Sequence, residues 1–239
     1  MTHLTIAVAG NPNCGKSTIF NALTGSRQTT GNWPGVTVEG TWGEFTVDER
    51  QCKLVDLPGL YSAEIDETST DVAIARDYLL SGEADVVLNV LDASNLERHL
   101  YLTTQLLELG IPMVLALNMM DEAEKSGMRL DTEMLSTFLG TPVVGIVARS
   151  GRGRQELLDT VLAEVEESAQ TPWQPLEISY GPDLDPVLQE MTAMIRERGF
   201  LTERYPPRWT ALKFLEEDEE VVRRGHDADP ETARRLEKR

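Results

Sequence analysis

The stretch GNPNCGKS, residues 10–17, has the spacing G-x-x-x-x-G-K-S. Glycines at such positions let backbone N–H groups curl around phosphate oxygens. The lysine ammonium then reaches the outer phosphates, and the serine hydroxyl can ligate Mg²⁺. Asn11, Pro12, Asn13, Cys14, Gly15, Lys16, Ser17 and Thr18 are therefore candidate phosphate-binding residues. Asp56 follows Lys16 by 40 residues and opens the tetrapeptide Asp56, Leu57, Pro58, Gly59. An aspartate at the end of a second strand holds Mg²⁺ in this kind of site, often through water, and the Gly59 N–H is placed to sense a terminal phosphate. In NMMD, residues 118–121, Asp121 can accept two hydrogen bonds from the ring N–H and exocyclic amine of guanine, a pair that adenine lacks. Asn118 is expected to tie this loop, which includes Met119, to the phosphate loop. Val147, Ala148 and Arg149 complete the set, with the Ala148 N–H as the natural donor to the guanine carbonyl.

These loops need strands that end where they begin. LTIAVAG (4–10) reads as a buried strand, and KSTIFNALTG as a helix stopped by Gly25. Residues 38–47 and 51–59 read as an antiparallel pair across the polar turn DER. ADVVLNVLDA, IPMVLALNM and TPVVGIVAR supply three further strands, separated by helix-period segments, with Gly110 ending the segment before residue 111. Short apolar strands alternating with helices predict an α/β fold with a mostly parallel six-stranded sheet covered on both faces. All the candidate loops then fall at strand carboxyl ends, where open α/β sheets bind ligands. From about residue 169 the texture changes. A proline-punctuated connector leads to helical patterns only, among them PRWTALKFLEEDEEVVRRG, read as one helix whose acidic run Glu216–Glu220 is a solvated face. The expected division is 1–168 and 169–239, the second unit small and all-helical.

The bulk numbers exclude several classes. Residues 1–168 carry 25 acidic and 11 basic side chains, and residues 169–239 carry 15 and 11. Neither part is basic, so there is no footprint for nucleic acid or an anionic membrane. Nucleotide has to be held by local backbone and metal against the global field. Cys14 and Cys52 are the only cysteines and His3, His99 and His226 are scattered, which argues against a disulfide scaffold or structural zinc and offers no metal cluster. No run approaches the roughly 18 apolar residues of a membrane span, so the chain as given is expected to be soluble.

The motifs, their order and their spacing resemble a Ras-like P-loop GTPase. More narrowly, GNPNCGKSTIFNALTG, GNWPGVTVEG, DLPGLYS and NMMD resemble the N-terminal cytosolic domain of the bacterial ferrous-iron transporter family FeoB, and ISYGPDLDPVLQEM with PRWTALKFLEED resembles that family's helical domain. The resemblance implies a GTPase domain, a helical domain of the GDP-dissociation-inhibitor-like kind, and a place at the cytoplasmic face of the bacterial inner membrane as part of a larger protein. It implies Mg²⁺ on Ser17, Thr37 and Asp56, and K⁺ on Asn13 with backbone carbonyls of Gly31 and Trp33. Gly35, Val36 and Thr37 take the place of the switch that closes on the γ-phosphate, and Lys16, Thr37, Asn13 and Gly59 that of the catalytic groups. Among partners it implies GTP and GDP, the protein's own membrane transport domain, a homo-oligomeric state and small accessory Feo proteins.

Two departures from small GTPases bear on chemistry. Leu60 stands where a glutamine orients the attacking water, so hydrolysis has to rest on positioning and charge, with K⁺ lying about where an arginine finger places its own. Asp66 and Glu67 read as solvated acids rather than as a general base. Met119 replaces a lysine whose stem packs along the base, which implies weak, quickly reversible nucleotide binding. Two other readings stay open at this point: a free-standing GTPase acting on ribosomes or tRNA, disfavoured by the acidic balance, and a nucleotide sensor without catalysis.

Overall fold

The computed structural model describes residues 3–25, 28–32, 39–47, 49–57, 70–171 and 175–239. The first strand, β1 (Leu4–Gly10), runs through the middle of the sheet and leads by the glycine loop into α1 (Lys16–Thr24). Gly25 closes α1 in the left-handed conformation, as the sequence predicts. Next come β2 (Gln28–Asn32), β3 (Glu39–Val47), β4 (Arg50–Asp56), α2 (Thr70–Leu80), β5 (Val86–Asp92), α3 (Leu96–Glu108), β6 (Met113–Asn118), α4 (Met120–Lys125), α5 (Thr132–Leu139), β7 (Val143–Gly145) and α6 (Arg154–Gln170).

The strands form one sheet in the order β2-β3-β4-β1-β5-β6-β7. β2, β3 and β4 are antiparallel, and β4, β1, β5, β6 and β7 are parallel. The sheet therefore has seven strands, not the six read from the sequence. The extra one, β2, is the polar pentapeptide QTTGN, which has no apolar alternation to mark it. It is held by its ladder to β3, from Gln28 opposite Gly43 to Asn32 opposite Glu39. The last strand is shorter than TPVVGIVAR suggests: β7 ends at Gly145, and Val147 makes only an isolated bridge to Arg152.

Residues alternate between the two faces along each strand. Ile6, Val8, Leu54, Leu88, Val90 and Val114 pack with Ile19, Phe20, Leu157 and Val161 of α1 and α6. Ala7, Ala9, Val55, Val87, Leu91 and Leu115 pack on the other side beneath α2 and α3. That second core does not stop at the sheet layer. Leu188, Met191, Trp209, Phe214 and Val221 of the C-terminal helices belong to it.

Those helices are α7 (Asp185–Arg198), α8 (Pro207–Leu215), α9 (Glu219–Ala228) and α10 (Pro230–Leu236). The segment 207–225, read as one helix, is two. Glu217 adopts a left-handed φ of 55°, and the Asp218 carboxylate caps the next helix by accepting from Val221 N at 2.9 Å. The acidic run is correspondingly not a plain solvated face. Asp218 pairs with Arg76 of α2 at 3.2 Å, Glu216 with Lys213 and Glu220 with Arg224. Asp77, also on α2, meets Arg204 at 2.8 Å and Arg224 at 3.0 Å. At the end of α3, buried Glu108 accepts a 2.6 Å hydrogen bond from the Tyr180 hydroxyl, and burial pushes its carboxyl above the usual range. Among the described residues, no helix is long and apolar enough to cross a membrane.

Candidate nucleotide site

The site is built from turns that follow the parallel strands. After β1 the chain turns at once, with Cys14 N donating to Asn11 O at 3.3 Å and Asn13 in the left-handed region at φ 66°. Gly15, at φ 92°, starts α1. A Cβ on Gly15 would stand 2.2 Å from the Asn118 amide nitrogen, so this glycine is required both by its conformation and by the close approach of a buried side chain. Asn13, Pro12, Ser17 and Thr18 are exposed along the loop and first helical turn, whereas Asn11 and Cys14 are buried. The Asn11 side chain donates to the Arg98 carbonyl at 3.2 Å, anchoring the loop to α3. Burial raises the Cys14 thiol above its ordinary pKa, which fits a space-filling role for this side chain.

Asp56 ends β4 beside Val8 of β1. Lys16 Nζ lies 2.9 Å from Asp56 Oδ1 as an ion pair not aligned as a hydrogen bond, and it donates to the Leu57 carbonyl. The loop lysine and the strand-end aspartate are thus in direct contact.

Asn118, at the end of β6, is almost wholly buried and uses both ends of its amide. Its Nδ2 donates to the Cys14 carbonyl at 2.9 Å, and its Oδ1 accepts from Ala148 N at 2.9 Å. The expected tie to the phosphate loop is present. The Ala148 N–H, expected to face a base carbonyl, is engaged by Asn118, so a base at that point has to share this donor or draw it away. Met119 is left-handed at φ 62°, and its methyl lies 3.9 Å from the Cβ position of Gly15. Its side chain therefore reaches back toward the glycine that starts α1. Asp121 sits on α4, and its hydrogen bond from Lys125 holds its carboxyl below the usual range. Val147 is buried and Arg149 exposed. The intervening turn is closed by Val147 O, which accepts from Ser150 N and Gly151 N.

Gly31 is described as part of β2, opposite Gly40. Trp33, Gly35, Val36, Thr37, Pro58, Gly59, Leu60, Asp66 and Glu67 lie outside the described residues. Two neighbours of the site were missed in the sequence reading. Lys125, at 3.1 Å from Asp121, carries a legible signal in its i,i+4 spacing on α4. The Arg152–Glu124 pair, with contacts of 2.8 and 3.1 Å, links α4 to the base loop and joins residues too far apart to show as a pattern.

A central parallel strand, a glycine loop capping a helix, a strand-end aspartate touching the loop lysine, and an asparagine stapling the base loops together define a P-loop GTPase of the Ras-like class with an appended helical domain. Comparison with known proteins narrows the class. The family described as "Ferrous iron transport protein B" matches residues 4–161, and the family described as "FeoB cytosolic helical domain" matches residues 180–239. The chain belongs to the FeoB family. It is 49% identical over 223 residues to the Fe(2+) transporter FeoB of Salmonella choleraesuis, covering 91% of this chain and 28% of that protein. To the Fe(2+) transporter FeoB of Escherichia coli it is 57% identical over 159 residues, 66% of this chain and 21% of that one. The chain thus spans about a quarter of the length of the curated relatives it matches. Among solved structures, the cytosolic domain of the T. maritima FeoB iron transporter superposes with a TM-score of 0.85 in its GDP form II, at 37% identity, covering 95% of this chain and 87% of that one. Its GMPPNP form gives 0.82 at 38% identity, with 95% and 86% covered.

Proposed function

We propose that this chain binds GTP and hydrolyses it slowly with stimulation by potassium, and that the resulting nucleotide cycle regulates ferrous-iron uptake through a membrane domain lying in the remainder of a longer protein. The observation that supports this best is the Asn118 staple. One buried amide joins the phosphate loop at Cys14 to the base loop at Ala148, so nucleotide bound at one end is felt at the other. The relatives' names support the iron-transport part, and the structures of a relative with GDP and GMPPNP support the nucleotide. We place the domain division at 1–168 and 169–239, with this part on the cytoplasmic face of the inner membrane.

The donor set suits the ions that the family implies. Asp56 Oδ1 is buried and meets the Lys16 ammonium at 2.9 Å, so once Lys16 turns to phosphate an anionic oxygen is left for a hard cation. With the hydroxyls of Ser17 and Thr37 it makes an all-oxygen set suited to Mg²⁺. The Asn13 amide and the Gly31 and Trp33 carbonyls make a weaker oxygen set suited to K⁺. When bound, these cations neutralise charge on the β- and γ-phosphates. The chain's own part is positional. Lys16 leaves Asp56 to meet phosphate oxygens, the amides of residues 13–17 hold the phosphates in line, and Thr37 with Gly59 orients water by main-chain groups, since Leu60 offers none. Met119 and the shared Ala148 amide make base binding weak, which suits a timer that must release GDP.

Turnover of GTP and ATP in potassium and in sodium buffers tests the reading, with Asn13→Ala alongside. An arginine finger contributes about 10³–10⁵ in rate, and a monovalent cation at that place is expected to give at least about tenfold faster GTP turnover in K⁺ than in Na⁺. Asn13→Ala should lose that difference while still binding GDP. Equal rates in the two salts for the unmutated chain would exclude the potassium mechanism, and no turnover in either would favour a sensor without catalysis.

A further inference from the structure

We infer that Lys125 is a positioning residue for base selection, holding the Asp121 carboxylate so that both of its oxygens face a purine with two adjacent N–H donors. The inference rests on the guanine-nucleotide reading and adds to it the device that compensates for Met119. Lys125 Nζ lies 3.1 Å from Asp121 Oδ2, with the acid four residues before the base on the same helix, the favoured orientation for such a pair. The backbone beneath them is fixed from several sides. Met120 N donates to Ile146 O at 3.3 Å and Ala123 N to Met119 O at 3.1 Å, Ala123 is buried, and Arg152 grips Glu124 with two hydrogen bonds. What remains free is rotation of the Asp121 side chain, which is 39% exposed. A lysine at position 119 would have placed an ammonium in this loop. Met119 places a methyl group against Gly15 instead, and the only ammonium ion-paired with Asp121 among the described residues is that of Lys125.

Guanine presents two N–H donors to the carboxylate and hypoxanthine presents one. Restraining the carboxylate therefore favours guanine more than hypoxanthine, whereas a pair that only stabilised α4 would affect both bases alike. The test is titration of the chain with GDP and with inosine diphosphate for the unmutated protein, Lys125→Ala and Lys125→Arg, at low and high salt. Lys125→Ala is expected to lower the GDP-to-inosine-diphosphate affinity ratio about threefold at low salt, in line with an exposed pair. Lys125→Arg should restore the ratio, and the difference should shrink at high salt through screening. Lys125 is 75% exposed, so both variants are expected to keep the fold. An unchanged ratio in Lys125→Ala, with both nucleotides weakened equally, would overturn the positioning role. Failure of the unmutated chain to bind GDP at all would instead overturn the guanine reading beneath it.

Discussion

Alanine at Gly15 is expected to remove nucleotide binding and lower the melting temperature together. The residue sits at φ 92°, and its new Cβ would fall 2.2 Å from Asn118 Nδ2. Left-handed backbone on a residue with a side chain costs about 1–3 kcal/mol. Asn118 cannot step aside cheaply, because it is buried and bonded at both ends, to Cys14 O and from Ala148 N, each at 2.9 Å. Moving it leaves buried polar groups unpaired, at about 1–3 kcal/mol for each. With one strained residue and two broken bonds the sum is roughly 3–9 kcal/mol, which corresponds to a fall of about 6–36 °C in a domain of this size at about 2–4 °C per kcal/mol. Thermal unfolding and titration with a fluorescent GDP analogue check the two halves of the result. A stable variant with unchanged affinity would show that the staple yields without consequence.

Methionine at Lys16 is expected to separate the two effects. The Lys16 ammonium lies 2.9 Å from Asp56 in a pair whose side chains are 16% and 26% exposed, and it is the one loop group with a full positive charge. Hydrogen bonds to charged groups contribute about 1.5–3 kcal/mol each. Losing two phosphate contacts should weaken GTP binding by about 10²–10⁴-fold and bring hydrolysis below detection. The fold should survive, since a partly exposed ion pair stabilises by about 1 kcal/mol or less. Affinity, single-turnover hydrolysis and melting measured on the same sample decide this. A large loss of melting temperature would show that the Lys16–Asp56 contact supports the sheet, beyond its role toward phosphate.

These two substitutions also show which parts of the site the sequence determined. Gly10–Ser17, Asp56 and NMMD were legible because their chemistry depends on spacing within a loop, and because each loop follows an apolar strand. Short apolar runs bounded by polar turns and glycine stops placed β1, the β3–β4 hairpin, β5 and β6 correctly, since those signals are local. Strand β2 carries no such signal in QTTGN and is fixed only by its partner across the sheet. The break in segment 207–225 was invisible for the same reason. Glu217 and Asp218 are ordinary helix-surface residues by pattern, and the turn is settled by Asp218 capping α9 while meeting Arg76, 142 positions away.

By itself, then, the sequence determined the alternation of strands and helices, β2 and the α8–α9 break aside, and the chemistry that each loop is suited to perform. Only the tertiary structure decided how the loops act on one another. Asn118 meets Cys14 across 104 residues, Ala148 spends its amide on Asn118 rather than standing free, and the C-terminal helices share one core with α2 and α3. The physical reason is that such contacts are set by packing between distant segments. A buried amide takes whichever partners the sheet brings within about 3 Å, and periodicity along the chain carries no record of which those will be.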